Sequence, residues 1–131
     1  MYLLDTNIIS DLAKNPRGAI GQKLSELDPD LVVTSTIVAC EIRFGLANKP
    51  DQRSAARSVE FLETMTILPL EADVSVPYAT VRASMTKAGL GISPNDLLIA
   101  AHAMALDATV VTDDGAFSNV PGLKVENWLR A

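Results

Sequence analysis

Short apolar runs alternate with longer helical segments along this chain, and that alternation limits the folds open to it. The runs lie at residues 2–4, 31–34, 66–70 and 109–112, with a shorter fifth at 123–125. Helical periodicity or capping residues mark the segments at 8–13, 19–27, 36–46, 52–64, 73–88 and 94–106. Because the strands are apolar throughout, both faces of their sheet should be covered. The pattern therefore predicts an α/β fold with a mostly parallel sheet of four to five strands flanked by helices.

The composition is that of one globular domain. The chain has 131 residues, of which 48% are hydrophobic and 21% charged, and no repeat or linker interrupts it. Its single cysteine, Cys40, cannot form an internal disulfide and is predicted to be a small core residue in a reducing compartment. The start lacks a basic signal region, and no apolar run reaches the roughly 18 residues of a membrane span. We expect a soluble, cytoplasmic protein.

The net charge excludes one class of nucleic-acid-binding protein. Eleven basic and sixteen acidic residues give a formal charge of −5, so a broad basic surface that holds phosphates by itself is excluded. An enzyme that meets phosphates through bound cations remains possible, because clustered carboxylates are tolerated best around a metal ion. Local positive charges that could contact RNA are Arg43, Arg53, Arg57, Arg82 and Lys87, although each is also typical of an ordinary solvated helix.

Acidic side chains occur where predicted strands end or buried helices begin. Asp5 follows the first strand, Glu41 lies in the helix after the second, Asp96 opens the late apolar helix, and Asp113 and Asp114 follow the fourth strand. In a parallel sheet these positions converge on the edge where ligands bind. Converging carboxylates repel one another unless a cation neutralises them, and Mg²⁺ prefers such oxygen ligands. The spacing thus indicates metal-dependent phosphodiester hydrolysis.

Each of these acids also has a purely structural interpretation. Asp5 and Asp96 could cap helices, and the pair at 113–114 could belong to a turn. Glu41 is the most informative, because a capping box would need Ser or Thr at position 38, which is Val38. Its apolar surroundings make a buried, unpaired carboxylate costly.

The remaining polar candidates have supporting or structural interpretations. The hydroxyls of Thr6, Ser35 and Thr112 could orient a carboxylate or a water, or cap a helix. His102 follows Asp96 by six residues, which puts the two on different helix faces. We therefore interpret His102 as a packed or surface residue and not as a ligand or base.

Four motifs in order resemble those of PIN domains, and more narrowly the VapC-like and FitB-like toxins of type II toxin–antitoxin systems. They read Leu-Leu-Asp-Thr-Asn at 3–7, Thr-Ile-Val-Ala-Cys-Glu-Ile-Arg-Phe-Gly at 36–45, Asn-Asp-Leu-Leu-Ile-Ala-Ala at 95–101, and Val-Thr-Asp-Asp at 111–114. The similarity continues to Trp128, so residues 1–131 are expected to form a single PIN domain.

The resemblance implies a three-layer α/β PIN-like fold and an Mg²⁺- or Mn²⁺-dependent endoribonuclease that cuts structured RNA such as tRNA. It assigns catalytic and metal-binding roles to Asp5, Glu41 and Asp96. The fourth acid is Asp114, with Asp113 as the alternative. Supporting roles fall to the polar residues beside these acids, which are Thr6, Asn7 and Thr112.

The resemblance also implies partners. Similar proteins form homodimers and hetero-oligomers with a cognate antitoxin, which obstructs the acidic pocket, and they meet DNA only through that antitoxin. Tyr78, Met85 and the apolar stripe of the helix at 52–64 are candidates for the dimer or antitoxin surface. An alternative function is a PIN-like regulatory binding module that acts with its antitoxin on DNA and has little or no nuclease activity.

Overall fold

The computed structural model describes residues 1–129 and contains a five-stranded sheet. The strands are β1 (Tyr2–Leu4), β2 (Val32–Ser35), β3 (Thr66–Leu68), β4 (Thr109–Val111) and β5 (Val125–Glu126). Their order is β3-β2-β1-β4-β5, and every neighbouring pair is parallel. The chain starts in the middle of the sheet, builds one half through β2 and β3, and then returns to build the other half. The predicted α/β fold with a parallel sheet is confirmed.

Helices flank the sheet and connect its strands. They are α1 (Thr6–Lys14), α2 (Ala19–Ser25), α3 (Thr36–Asn48), α4 (Arg53–Glu63), α5 (Ser75–Ala88) and α6 (Pro94–Ala105), with short 3₁₀ turns at Pro29–Leu31, Ala72–Val74 and Gly115–Asn119. α1, α3 and α4 pack on one another, and α5 packs on α6. Among residues 1–129, none of these helices has both the length and the hydropathy that crossing a membrane requires.

Local capping chemistry sets the helix ends that matter for function. Asp5 caps α1, Ser35 caps α3 and Ser93 caps α6, each by accepting a backbone N–H at the start of its helix. α5 ends at Gly89, whose φ of 69° lies in the left-handed region that glycine adopts without strain. α1 and α3 therefore begin immediately after β1 and β2, at the carboxyl edge of the sheet.

The core lies around the two central strands. Leu3, Leu4, Val110 and Val111 are fully buried, and the late apolar helix α6 is packed against them through residues such as Ile99. A helix that is apolar on nearly every side requires cover on more than one face. A rigid sheet centre therefore supports the strand ends that carry the acids.

Several expectations from the sequence are wrong in detail. Cys40 is exposed, because it lies on the side of α3 opposite the buried Val38 and Ile42. Met85 is buried in the core, as are Val59 and Leu62 of the stripe in α4, so these side chains form no partner surface. β2 starts one residue later than predicted and β5 two residues later.

Candidate active site

Three carboxylates from distant parts of the chain meet at the carboxyl edge of the sheet. Asp5 directly follows β1, where its N–H donates to the Val111 carbonyl at 3.0 Å and ties it to β4. Glu41 lies in the second turn of α3, and Asp96 in the first turn of α6. Because β1 and β2 are parallel neighbours, the helices that follow them start side by side. The fold therefore brings carboxylates that are far apart in the sequence close together.

The three acids are close enough to bind one cation together. One oxygen from each of Asp5, Glu41 and Asp96 lies within 4.8 Å of the others. Asp5 is only 3% exposed, and the other two are half-buried at the mouth of the site. A set of carboxylate oxygens without nitrogen or sulfur is the donor chemistry of hard divalent ions such as Mg²⁺ and Mn²⁺. The residues present therefore fit such an ion.

Burial and mutual repulsion raise the pKa of all three acids. Burial is the main cause in each case. The charge of Asp5 further raises the pKa of both Glu41 and Asp96, and the charge of Asp96 adds to the shift at Glu41. The Ser93 hydroxyl partly offsets the raised pKa of Asp96. Without a cation the folded protein thus confines negative charge that a bound ion would neutralise.

Hydroxyl and amide donors hold the acids in place and favour their ionised forms. The Thr112 hydroxyl donates to Oδ2 of Asp5 at 2.7 Å, and the Asn7 amide donates to the same oxygen at 3.3 Å. The Thr6 N–H donates to Oδ1 of Asp5 at 2.8 Å, while the Thr6 hydroxyl donates to Oε1 of Glu41 at 3.2 Å. The family resemblance assigned supporting roles to Thr6, Asn7 and Thr112, and these residues contact Asp5 or Glu41 in the structure.

The two acids after β4 have different contacts. The N–H of Asp114 donates to the Thr112 hydroxyl at 3.0 Å, and the Asp114 charge raises the pKa of both Asp5 and Asp96. The Asp113 carboxylate instead accepts a hydrogen bond from the Asn127 amide at 2.8 Å. The charge of Asp114 thus acts on the acid cluster, while its carboxylate accepts the Ala116 N–H at 2.9 Å; the Asp113 carboxylate contacts Asn127 near the end of the described chain.

Ser35 and His102 contact each other behind the site, and the sequence analysis did not pair them. The Ser35 hydroxyl caps α3 at Ile37 and lies 2.8 Å from Nδ1 of His102. His102 is 2% exposed, and burial lowers its pKa, with a backbone hydrogen bond to Pro69 partly offsetting the shift. His102 is thus a packed residue, as predicted, and it holds the start of the helix that carries Glu41.

The predicted cationic residues all lie on the surface, and one further lysine was not foreseen. Arg43, Arg53, Arg57, Arg82 and Lys87 are exposed. Arg82 is held against Tyr78, with its guanidinium 2.9 Å from the phenol oxygen. Lys14, which the motifs did not single out, lines a cleft that also contains Thr6 and Glu41. Its place eight residues after Thr6 on an amphipathic helix is the signal that could have identified it.

Comparison with known proteins links this geometry to one family. The PIN domain family model matches residues 2–123. Ribonuclease VapC2 of Rickettsia felis is 32% identical to the chain over 131 residues, covering 98% of each sequence. The crystal structure of VapBC2 from the same organism, bound to a DNA fragment from its promoter, superposes with a TM-score of 0.86 at 32% identity, over 97% of this chain and 98% of that one.

Two more distant relatives have a similar length and fold. The tRNA(fMet)-specific endonuclease VapC of Salmonella typhimurium is 26% identical and covers 97% of each sequence. VapBC-5 of Mycobacterium tuberculosis, described as a member of the VapBC family of toxin–antitoxin systems, superposes with a TM-score of 0.69 at 26% identity, over 95% of this chain and 94% of that one.

Proposed function

This chain belongs to the PIN-domain family, and on that premise we propose that it is a metal-dependent endoribonuclease and the toxin of a toxin–antitoxin pair. The observation that carries the proposal is the contact of Asp5, Glu41 and Asp96, whose oxygens lie within 4.8 Å of one another. A structural role for each acid alone would not require the three to meet. We take residues 1–131 together as one PIN domain.

The proposed metal ligands are Asp5, Glu41 and Asp96, with Asp114 as the fourth acid. Support for Asp114 over Asp113 comes from their contacts. Asp114 is close enough to act electrostatically on Asp5 and Asp96, whereas the Asp113 carboxylate accepts from Asn127. These carboxylates would hold a divalent ion such as Mg²⁺ or Mn²⁺, which would supply positive charge to polarise a phosphodiester and activate water for attack.

The chain's own residues prepare the site for that chemistry. The Thr112 hydroxyl and the Asn7 amide donate to Asp5 and oppose the effect of burial on its pKa. The Thr6 hydroxyl does the same for Glu41. These bonds also fix the carboxylate orientations, because each donor belongs to an element of the sheet edge or to α1. The acids are therefore arranged before any ligand arrives.

The names and complexes of the relatives support the proposed substrate and partners. Ribonuclease VapC2 of R. felis and the tRNA(fMet)-specific endonuclease of S. typhimurium support RNA, in particular structured RNA such as tRNA, as the substrate. The VapBC complexes support a cognate antitoxin as the inhibitor and a hetero-oligomer with it, and the promoter-bound complex supports contact with DNA through that antitoxin. We also propose a homodimer.

The test is cleavage of RNA by the purified chain. We expect Mg²⁺ or Mn²⁺ to support cleavage, a chelator to stop it, and Asp96→Asn to abolish it while the circular dichroism spectrum stays unchanged. The matched control is Asp51→Asn, which neutralises an exposed acid outside the cluster and should cut normally. Cleavage by a pure Asp96→Asn preparation would reject the assigned site.

A second candidate, a DNA-regulating binding module without nuclease function, is favoured by the promoter-bound relative. An assay of growth inhibition in cells distinguishes this second candidate from the nuclease. Under our proposal, Glu41→Gln relieves the growth inhibition caused by inducing the chain without its antitoxin. Unchanged inhibition by Glu41→Gln would favour the binding module.

A further inference from the structure

A cleft with both polar and apolar walls opens directly beside the acid cluster. It has a volume of about 220 Å³ and lies between α1, α3 and α4. Glu41 belongs to both the cluster and the cleft wall, and Thr6 of the same wall donates to it, so the cleft adjoins the cluster. A polymer cut at the acids must extend beyond them, and this cleft offers a path.

The α1 wall of the cleft is a polar stripe that ends in a cation. Thr6, Ser10 and Lys14 line it at intervals of four residues, which places them along one face of the helix. Lys14 is exposed. Within residues 1–129 the only ion pair joins Lys124 and Asp107, so no carboxylate of the described residues lies within ion-pair distance of Lys14. In a molecule with a formal charge of −5, this is a local positive charge beside the site.

We propose that this cleft binds the RNA strand flanking the scissile bond, with Lys14 contacting a backbone phosphate. The inference rests on the proposed nuclease function. Lys14 lies eight residues after Thr6, or about 12 Å along the helix axis at 1.5 Å per residue. That exceeds the roughly 3.4 Å rise per nucleotide of a stacked strand. The phosphate at Lys14 is therefore a few nucleotides away from the bond that is cut.

The opposite walls combine the apolar Ile42 and Ala55 with polar side chains, and the polar side chains suit a nucleic-acid strand better than an apolar protein segment. Gln52 and Ser54, at the start of α4, contribute an amide and a hydroxyl. Gly45 of α3 also lines the cleft, and a Cβ built on it would meet no atom within 4 Å. The missing side chain thus leaves room for a bulky sugar or base. Polar donors, an unpaired cation and open volume are the elements of a sequence-tolerant strand site.

The first experiment measures how binding depends on salt. Lys14→Gln is compared with Lys23→Gln, because both lysines lie in the last turn of a helix but only Lys14 lines the cleft. The probe is a 5′-labelled oligouridylate, bound with Mg²⁺ in an Asp96→Asn background and followed by fluorescence anisotropy. One lost phosphate contact should reduce the slope of log K against log salt by about 0.7. We expect that change for Lys14→Gln and none for Lys23→Gln. Equal slopes in the two variants, or no salt-dependent binding, overturn the proposal.

The second experiment fills the cleft without touching any acid. Gly45 lies in a helix interior and has an ordinary helical φ, so Gly45→Met should fold at least as well as the parent. We expect Gly45→Met to raise the KM for RNA cleavage with kcat little changed, and Gly45→Ala to behave like the parent. If Gly45→Met and Lys14→Gln leave RNA binding unchanged but relieve inhibition by the antitoxin, the cleft belongs to the antitoxin and the inference is wrong. Failure of the parent chain to cut RNA would instead reject the proposed function.

Discussion

Replacing Glu41 with glutamine should stabilise the metal-free protein while abolishing cleavage. Glu41 faces two other acids with oxygens within 4.8 Å, and at that distance each unit-charge repulsion is about 1 to 3.5 kcal/mol for effective dielectric constants of roughly 80 to 20. Because Glu41 takes part in both pairs and is only half-buried, solvent screens each repulsion and the lower value applies to both pairs. The glutamine side chain would retain an oxygen for the Thr6 hydroxyl, so that hydrogen bond is kept. The free energy of unfolding should therefore rise by about 2 kcal/mol, or roughly 5 to 10 °C in Tm for a chain of this size.

The pH dependence follows from the direction of the pKa shifts. Asp5, Glu41 and Asp96 have raised pKa values in the folded chain, so folding favours their protonated forms. The repulsion therefore destabilises the fold above the raised pKa values and is relieved as pH falls through them. The Tm difference between Glu41→Gln and the parent should be largest near pH 7.5. This Tm difference should disappear below the ordinary pKa values of 3.8 for aspartate and 4.5 for glutamate.

The assay is differential scanning fluorimetry at low salt with a chelator, repeated with Mg²⁺. Mg²⁺ should raise the Tm of the parent more than that of Glu41→Gln, because a ligand stabilises only the state that binds it. Glu60→Gln is the control, since Glu60 is exposed on α4. Its replacement should change neither the Tm of the metal-free protein nor the Tm shift caused by Mg²⁺. A Tm that stays constant or falls in Glu41→Gln at neutral pH, or an equal Mg²⁺ shift in both proteins, would refute the repulsive cluster.

Three other perturbations test the surroundings of the site. Thr112→Val removes the hydroxyl that donates to Asp5 and should raise the pKa of Asp5 further, which moves the acidic limb of the pH–rate profile to higher pH; Thr112→Ser should restore it. Ser35→Ala removes a helix cap and the partner of buried His102, so urea unfolding should show a loss of about 1 to 3 kcal/mol. Cys40 is exposed and should react with a thiol reagent in the native protein; reaction only after denaturation would contradict this placement.

The fold could be predicted from the sequence to the extent that its signals are local. β1, the caps at Asp5 and Ser93, and the apolar helix α6 follow from apolar runs and from residues next to them. Errors arose where burial on one helix face had to be known. Cys40 stands among apolar neighbours, yet α3 turns it outward, and sequence composition does not specify which face of a helix meets the core.

The candidate site separates more clearly what the sequence determines from what the tertiary structure determines. The sequence by itself determined which side chains could take part, because the residue types and motif order identify Asp5, Glu41 and Asp96 as acids at strand or helix ends. Only the tertiary structure decided that they meet, since contact depends on strand order and parallel register. The contacts of Asp113 and Asp114 also depend on distant residues, because Asn127 donates to the Asp113 carboxylate and the Asp114 charge raises the pKa of Asp5. Capping and periodicity act over a few residues, whereas carboxylate repulsion and hydrogen bonding act over a few ångströms of space. Positions far apart in the chain come within that range only after the sheet has formed.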